Sequence, residues 1–459
     1  MIHRYQKKGL NFVLDVNSGA VHLLDDISYA VSGLLDENMG DTCPQSIIDA
    51  LPDYTADEIR EAYDELYELK KAGQLFAQDD YIDVSRYIPV NAPVKALCLH
   101  VAHDCNLRCQ YCFASTGDFG QGRKIMPPEI AKKAIDFVIA RSGVRHNIEV
   151  DFFGGEPLMA WDTVTQTVDY ARSLEEKYNK KFRFTITTNG LLLDEDKRKY
   201  INENMDNCVL SLDGRREVND EFRKTVAGTG SYDTIVPKFK ALVDERDPNL
   251  DYYARGTFTS HNLDFAEDVL SIADAGFDRL SVEPVTADPG CGYDLTEDDL
   301  PKIEAEYDRL TDIMLERKKE GKPFTFFHFM GDLDQGPCVV KRLRGCGAGY
   351  EYVAVTPDGD IYPCHQFVGK DEFKQGSVLD QSFNMDIAQK FAGMNIYSRP
   401  KCQKCWAKFY CSGGCSAANY NMNHDMNDSY DLGCEMERKR LECAIYLKAM
   451  DKICANQSK

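Results

Sequence analysis

The chain holds seventeen cysteines among 459 residues, and its opening MIHRYQKKGL lacks the apolar stretch of a signal peptide. No other feature constrains the fold as much. An odd number of thiols in a reducing compartment argues against a disulfide framework and for metal ligation. Three of them group tightly at Cys105, Cys109 and Cys112, ten fall between Cys338 and Cys454, and Cys43, Cys98, Cys208 and Cys291 are scattered. Cys98 lies on a strand pattern and Cys443 on a helical one, so both are expected to pack as small hydrophobes. Nothing singles out Cys43, Cys208, Cys291 or Cys454.

Size and charge narrow the classes further. A mass of 51.9 kDa is too large for one ordinary core and predicts two or three domains. Mean hydropathy is −0.43, and no uncharged apolar run approaches the roughly 18 residues of a membrane span. A cytoplasmic chain is expected. The net charge of −21 repels phosphate backbones and excludes general nucleic-acid binding. Residues 1–80 carry 6 basic and 16 acidic side chains, so about half the excess sits in the first sixth of the chain. A solvated face explains that, and so does a basic partner.

Along the chain, residues 1–80 read as strands around the Asn17-Ser18-Gly19 turn followed by three short helices, a winged-helix shape. Thr55 with Glu58 three residues on marks the start of the last helix, and Gly73 its stop. Residues 81–94 read as a linker. From 95 to 330, KALCLHVA, NIEVDFF, KFRFTITT, NCVLSLD, YYARGTFT and RLSVEPV alternate with amphipathic segments. That pattern predicts an α/β fold, a partial (β/α)6 TIM-like barrel with its chemistry at the C-terminal strand ends. Residues 331–459, rich in Cys, Gly and Asp, show little periodicity and read as metal-stabilised.

The first strand runs into Cys105-x3-Cys109-x2-Cys112. Three thiolates on one tight loop can hold three irons of a [4Fe–4S] cube and leave the fourth open, while a structural zinc site is the alternative. The next strands end in Gly154-Gly155-Glu156-Pro157, Thr187-Thr188-Asn189-Gly190 and Ser211-Leu212-Asp213-Gly214, followed by Arg223. Each falls where a barrel places its ligand.

On these motifs the chain resembles the radical S-adenosylmethionine (SAM) superfamily, whose signature is this CxxxCxxC followed by a GGE-type strand end. The resemblance implies that Cys105, Cys109 and Cys112 hold a SAM-binding cluster. It places Gly155 and Glu156 on the methionyl ammonium, Ser211 and Arg223 on the carboxylate or ribose, and Tyr111 on the adenine edge, with Asn189 a further contact. The spacing Cys346-x12-Gly359-x4-Cys364, Cys402-x2-Cys405-x5-Cys411-x3-Cys415 and Cys434 resembles the SPASM extension of peptide-modifying members. It implies an outer auxiliary cluster on Cys402, Cys405, Cys411 and Cys434 and an inner one on Cys346, Cys364 and Cys415, for three [4Fe–4S] clusters in all. A pair of zinc ribbons is the alternative. Cys338, eight residues before Cys346, either completes the inner set or leaves an open iron for a substrate thiolate.

The stretches NFVLDVNSGAVHLLDD, KALCLHVAHDCNLRCQYCFASTGDF and GCGAGYEYVAVTPDGDIYPCHQFVG resemble the SCIFF-peptide maturases, which form thioether bridges in a short Cys-rich peptide. By that resemblance residues 1–80 bind the leader of a ribosomally made precursor, by strand addition to the sheet edge. Their acidity predicts a basic leader. The implied partners are that peptide and a low-potential donor such as ferredoxin or flavodoxin, with no nucleic acid and no membrane, and a monomer is the simplest state. Two other readings are a Cys- or Ser-oxidising, formylglycine-type maturase and a non-catalytic iron–sulfur or zinc protein that binds a peptide.

Overall fold

The computed structural model describes residues 1–83, 92–331 and 339–457. Strands β1 (Ile2–Lys7), β2 (Leu10–Asp15) and β3 (Val21–Leu24) form an antiparallel meander. Its second turn is held by Asp15, whose Oδ1 accepts from Ser18 N at 2.9 Å and Ser18 Oγ at 2.8 Å. Helices α1 (Asp26–Ser32), α2 (Gln45–Ala50) and α3 (Ala56–Lys71) follow, α3 opening on a Thr55–Glu58 capping box. Alternation along β2 then splits its side chains between two cores. Val13 packs with α1–α3, while Phe12 and Leu14 face away from them.

Six parallel strands come next, in chain order: β4 (Ala96–His103), β5 (Asn147–Gly154), β6 (Lys181–Thr188), β7 (Asn207–Ser211), β8 (Asp251–Phe258) and β9 (Arg279–Pro284). Their helix-facing positions, among them Leu97, Val150, Phe184, Leu210, Ala254 and Val282, are fully buried in one continuous core. The sheet stays open. On the β4 side its edge is taken by β10 (Tyr352–Val355), parallel to Ala96–Leu99, and then by antiparallel β11 (Asp360–Tyr362). The C-terminal region therefore continues the barrel sheet past residue 330.

One expectation is corrected. The segment read as lacking periodicity ends in a 27-residue helix, Asp431–Gln457. It serves two cores at once: Leu432, Met436, Cys443 and Ala444 join the barrel, whereas Leu441, Ile445 and Tyr446 pack on Tyr5, Phe12 and Leu14 of the N-terminal sheet. Apolar residues spread over two faces leave no single stripe to detect. The N-terminal module is thus docked, not tethered. Lys8 reaches Asp312 at 2.8 Å, Lys7 pairs with Asp308, and the His3 ring stacks on Trp406 with centroids 3.7 Å apart. Among the described residues no helix is long and apolar enough to cross a membrane.

Candidate active site and auxiliary metal centres

β4 carries the chain to the C-terminal end of the sheet, where the CxxxCxxC loop is pinned on both sides. Arg108 N donates to Lys224 O at 2.7 Å and Gln110 N to Phe222 O at 3.1 Å. On the other side Glu156 N donates to Asp104 O at 2.9 Å. Gly155 has to be glycine, because a β-carbon there would come within 2.1 Å of Asp104 O. The Cys105 thiol feels the charges of both Cys109 and Cys112, and burial pushes Cys105 up to about 12 and Cys109 to about 11. Thiols held that high keep their protons at neutral pH unless a metal's charge replaces them. The donor set therefore fits a thiolate-ligated metal group.

The strand-end residues are more committed to one another than their sequence motifs reveal. Glu156 is fully buried. Its Oε1 accepts from Leu158 N at 3.0 Å and Thr188 Oγ1 at 2.8 Å, and its Oε2 from Asn189 N at 2.7 Å. Three of a carboxylate's roughly four acceptor positions are spent tying β5 to β6. Asn189 Nδ2 donates to Asn106 Oδ1 at 2.7 Å and lies 3.6 Å from Cys105 Sγ, so it borders the thiol loop directly. The Tyr111 hydroxyl donates to Asp213 Oδ2 at 2.6 Å and accepts from Arg223 Nη1 at 2.9 Å. Asp213 Oδ1 accepts from Thr257 N at 3.1 Å. Ser211 stands at the end of β7, in register with Arg255 on β8.

Below this ring, inward-facing positions make a polar lumen. Register sets Cys98 opposite Asp151 and Asp151 opposite Thr185. Burial, with Glu149 adding to it, pushes Asp151 up to about 7. Cys98 packs, as expected, in an apolar core with Ala354 and Phe367, and Tyr352, whose hydroxyl lies 3.5 Å from His365 Nδ1, packs against the same cluster. Arg255 Nε donates to Glu283 Oε1 at 3.0 Å. Burial alone would raise Glu283, but the Arg255 charge and hydrogen bonds pull it down to about 2. Arg440 Nη1 sits 3.1 Å from His328 Nδ1. Arginine can only donate, so that nitrogen accepts and the ring proton sits on Nε2, 3.2 Å from Ser281 Oγ.

The C-terminal thiols fall into two groups. Cys402, Cys405, Cys411 and Cys434 line one cavity of about 300 Å³ together with Lys401, Glu437 and Arg438. Burial pushes Cys411 up to about 12 and Cys434 to about 11. Cys364 instead feels Cys415 and Cys346. Cys338 lies outside the described residues. The loop after Cys364 meets the loop after Cys112: the His365 ring is 5.5 Å from Phe113 and 5.0 Å from Phe153.

Comparison with known proteins assigns these two regions. Residues 99–250 match the radical SAM superfamily, and residues 346–406 match SPASM, an iron–sulfur cluster-binding domain. The chain is a radical SAM/SPASM peptide maturase. The cysteine-type anaerobic sulfatase-maturating enzyme of Clostridium novyi is 25% identical over 72% of this maturase and 90% of that enzyme. Mycofactocin maturase MftC of Mycolicibacterium smegmatis is 26% identical over 72% of this chain and 80% of its own. Among solved structures, anSMEcpe with bound AdoMet aligns at TM-score 0.63 and 21% identity, over 78% of the maturase and 99% of that chain. Streptococcus suis SuiB aligns at TM-score 0.52 and 18% identity, over 94% and 98%. These two likenesses bear on the fold.

Several site residues of the maturase escape a motif reading. Asn106 and Asp213 sit inside quoted motifs, yet their partners are more than eighty residues away. Asp151, Arg255 and Glu283 carry a detectable signal: each is a charge at an inward position of a strand whose alternate residues are fully buried. His328, Arg399 and Arg440 lie outside every motif.

Proposed function

We propose that this maturase forms intramolecular Cys-to-carbon thioether cross-links in a ribosomally made, Cys-rich precursor peptide of the SCIFF type. The observation that carries the reading is the meeting of two thiol-bearing loops at one polar lumen, with Phe113 and His365 in contact across it. A peptide threaded there presents a carbon to the first loop and a cysteine to the second.

Cys105, Cys109 and Cys112 would hold the SAM-binding cluster, and that group would supply hydrogen-atom abstraction from a substrate carbon. The chain's residues do the rest. Asn189 and Asn106 fix the loop, and the Tyr111–Asp213–Arg223 network holds the wall beside it. The Arg255–Glu283 pair offers the peptide a fixed dipole in a partly dehydrated cavity. Each bridge would cost the peptide two hydrogens, one as an atom and one as the thiol proton, and the one electron left over would need an acceptor, which the C-terminal thiol groups would hold.

The leader reading rests on residues 1–80. Among the described residues β3 pairs with β2 alone, which leaves an edge for strand addition. SuiB has been solved bound to its precursor peptide SuiA. A specific observation favours a second reading, oxidation of a Cys or Ser side chain: that chemistry needs a base, and Asp151 stands in the lumen with its proton affinity raised toward neutrality.

Anaerobic mass spectrometry of a candidate Cys-rich peptide, after incubation with reconstituted enzyme, SAM and reductant and then alkylation, tests both. Loss of two hydrogens and one alkylatable thiol per event establishes bridging. Replacement of sulfur by oxygen establishes the second reading. Deoxyadenosine without peptide change means the wrong peptide, and neither product refutes the enzyme reading.

A further inference from the structure

Arg399 is a buried cation without a carboxylate. Only 3% of it is exposed. Its Nη1 donates to Gly413 O, its Nη2 to Ser416 Oγ at 3.1 Å, and its Nε has no partner. Among the described residues no Asp or Glu stands within ion-pair distance of it. Arg246, at 7% exposure, satisfies all three of its nitrogens with the neutral oxygens of Asp251 O, Asn202 Oδ1 and Met205 O. Arg399 has two such acceptors and an orphaned Nε, so its dehydration is offset less and it leaves a place for a counter-charge.

The nearby groups that could carry negative charge are thiols, and they come from both sets. The Arg399 charge couples to Cys402 and Cys411 of the outer group and to Cys415 and Cys346 of the inner one. The loop Cys411-Ser412-Gly413-Gly414-Cys415 joins the two groups, and the guanidinium is seated against it. Gly413 has φ +88°, and a β-carbon there would sit 2.1 Å from Arg399 Nη1. Only glycine admits the cation at that point. Arg438 offers a contrast, since it approaches Cys405 Sγ at 3.9 Å but is already paired with Glu435.

We propose that Arg399 is the shared counter-charge of the two auxiliary centres, raising the reduction potentials of both so that they accept an electron from the lumen. This rests on the reading that both thiol groups hold iron–sulfur clusters. Potentials of such clusters follow net charge and local dielectric, and a buried cation favours the more negative, reduced state. One cation between two centres moves both together.

The test is an anaerobic redox titration followed by electron paramagnetic resonance, on the full chain and on Arg399→Gln, Arg399→Lys and Arg438→Gln, with iron and sulfide counted in each. Absence of auxiliary signals from the unmodified chain would refute the cluster reading itself. With clusters present, Arg399→Gln lowers both auxiliary midpoint potentials and leaves the SAM-binding cluster's unmoved. Arg399→Lys stays near the parent values, and Arg438→Gln shifts the outer centre alone. Unmoved auxiliary potentials, or a shift in one centre only, overturn the proposal. If Arg399→Gln loses a centre, Arg399→Lys decides: assembly with parent-like potentials upholds the charge role. Loss of that centre, or assembly with lowered potentials, makes Arg399 a packing residue of the glycine loop.

Discussion

Tyr446→Ala tests whether the N-terminal module owes its stability to the body of the enzyme. Tyr446 lies on the C-terminal helix, is 5% exposed, and meets the module through Phe12, edge-on at 6.3 Å between centroids, and through the Lys7 ammonium 5.4 Å above its ring. Burial of a side chain of that size contributes about 1.5–3 kcal/mol and the aromatic pair about 0.5–1.5 more. Loss of about 2–4 kcal/mol multiplies the module's opening equilibrium roughly thirty- to several-hundred-fold, since each 1.4 kcal/mol is tenfold. Hydrogen exchange read by mass spectrometry over β1 and β2 measures that opening directly. A rise of this size in strands that contain no substitution means that docking stabilises the module. Unchanged exchange there would refute the docking argument and show that residues 1–80 fold on their own core of Val13, Ile59 and Tyr63. The outcome also governs truncation. Removing residues 1–80 uncovers Leu441, Ile445 and Tyr446, so a truncated enzyme that loses activity has not thereby been shown to lack only its leader site.

Changing Cys105, Cys109 or Cys112 to Ala abolishes 5′-deoxyadenosine formation, whereas Cys411→Ala abolishes cross-linking and retains SAM cleavage; chromatography of the two products separates these. Asp213→Asn removes a charge-assisted acceptor worth about 1.5–3 kcal/mol from the Tyr111–Arg223 network, so SAM affinity falls roughly ten- to a hundredfold in equilibrium dialysis, and unchanged affinity would detach that network from the cofactor. Burial raises the Asp151 pKa from its ordinary value to about 7. Its contribution to stability is therefore full below about pH 4 and lost as pH climbs through about 7. Thermal midpoints fall over that window in the parent and flatten in Asp151→Asn, and equal slopes would count against the raised value. Leader binding to the acidic module weakens as salt rises, by fluorescence anisotropy, if the leader is basic; a salt-independent affinity removes the electrostatic part.

The barrel was legible because its strands obey local rules. All six segments picked out by hydrophobicity are strands, and KFRFTITT matches Lys181–Thr188 end to end. The Thr55–Glu58 pair starts α3 where a capping box should. The C-terminal helix was illegible for the converse reason, because its apolar residues answer to two partners that meet only in the folded chain. The same distinction runs through the site. Cys105, Cys109 and Cys112 announce themselves by spacing. Glu156 announced a ligand contact, yet its carboxylate mostly ties two strands together, and nothing local to GGEP reveals Thr188 as its partner.

Charge carries the argument one step further. A chain of net −21 nevertheless buries Arg223 and Arg399, at 7% and 3% exposure, beside its thiol loops. Arg440, also deeply set, hydrogen-bonds His328 and pairs with Glu437, which lines the outer cavity. Surface acid is solvated at little cost, but an interior guanidinium needs interior acceptors or anions, and Arg246 finds three neutral oxygens where Arg399 finds two. Arg223 has the Asp213 carboxylate nearby and Arg440 is paired with Glu437. At Arg399 no carboxylate stands within ion-pair distance among the described residues, and under the proposed role its counter-charge falls to the thiols beside Gly413. That placement is why the potential of the auxiliary centres, not the turnover of the enzyme, is where substitution of this residue will register.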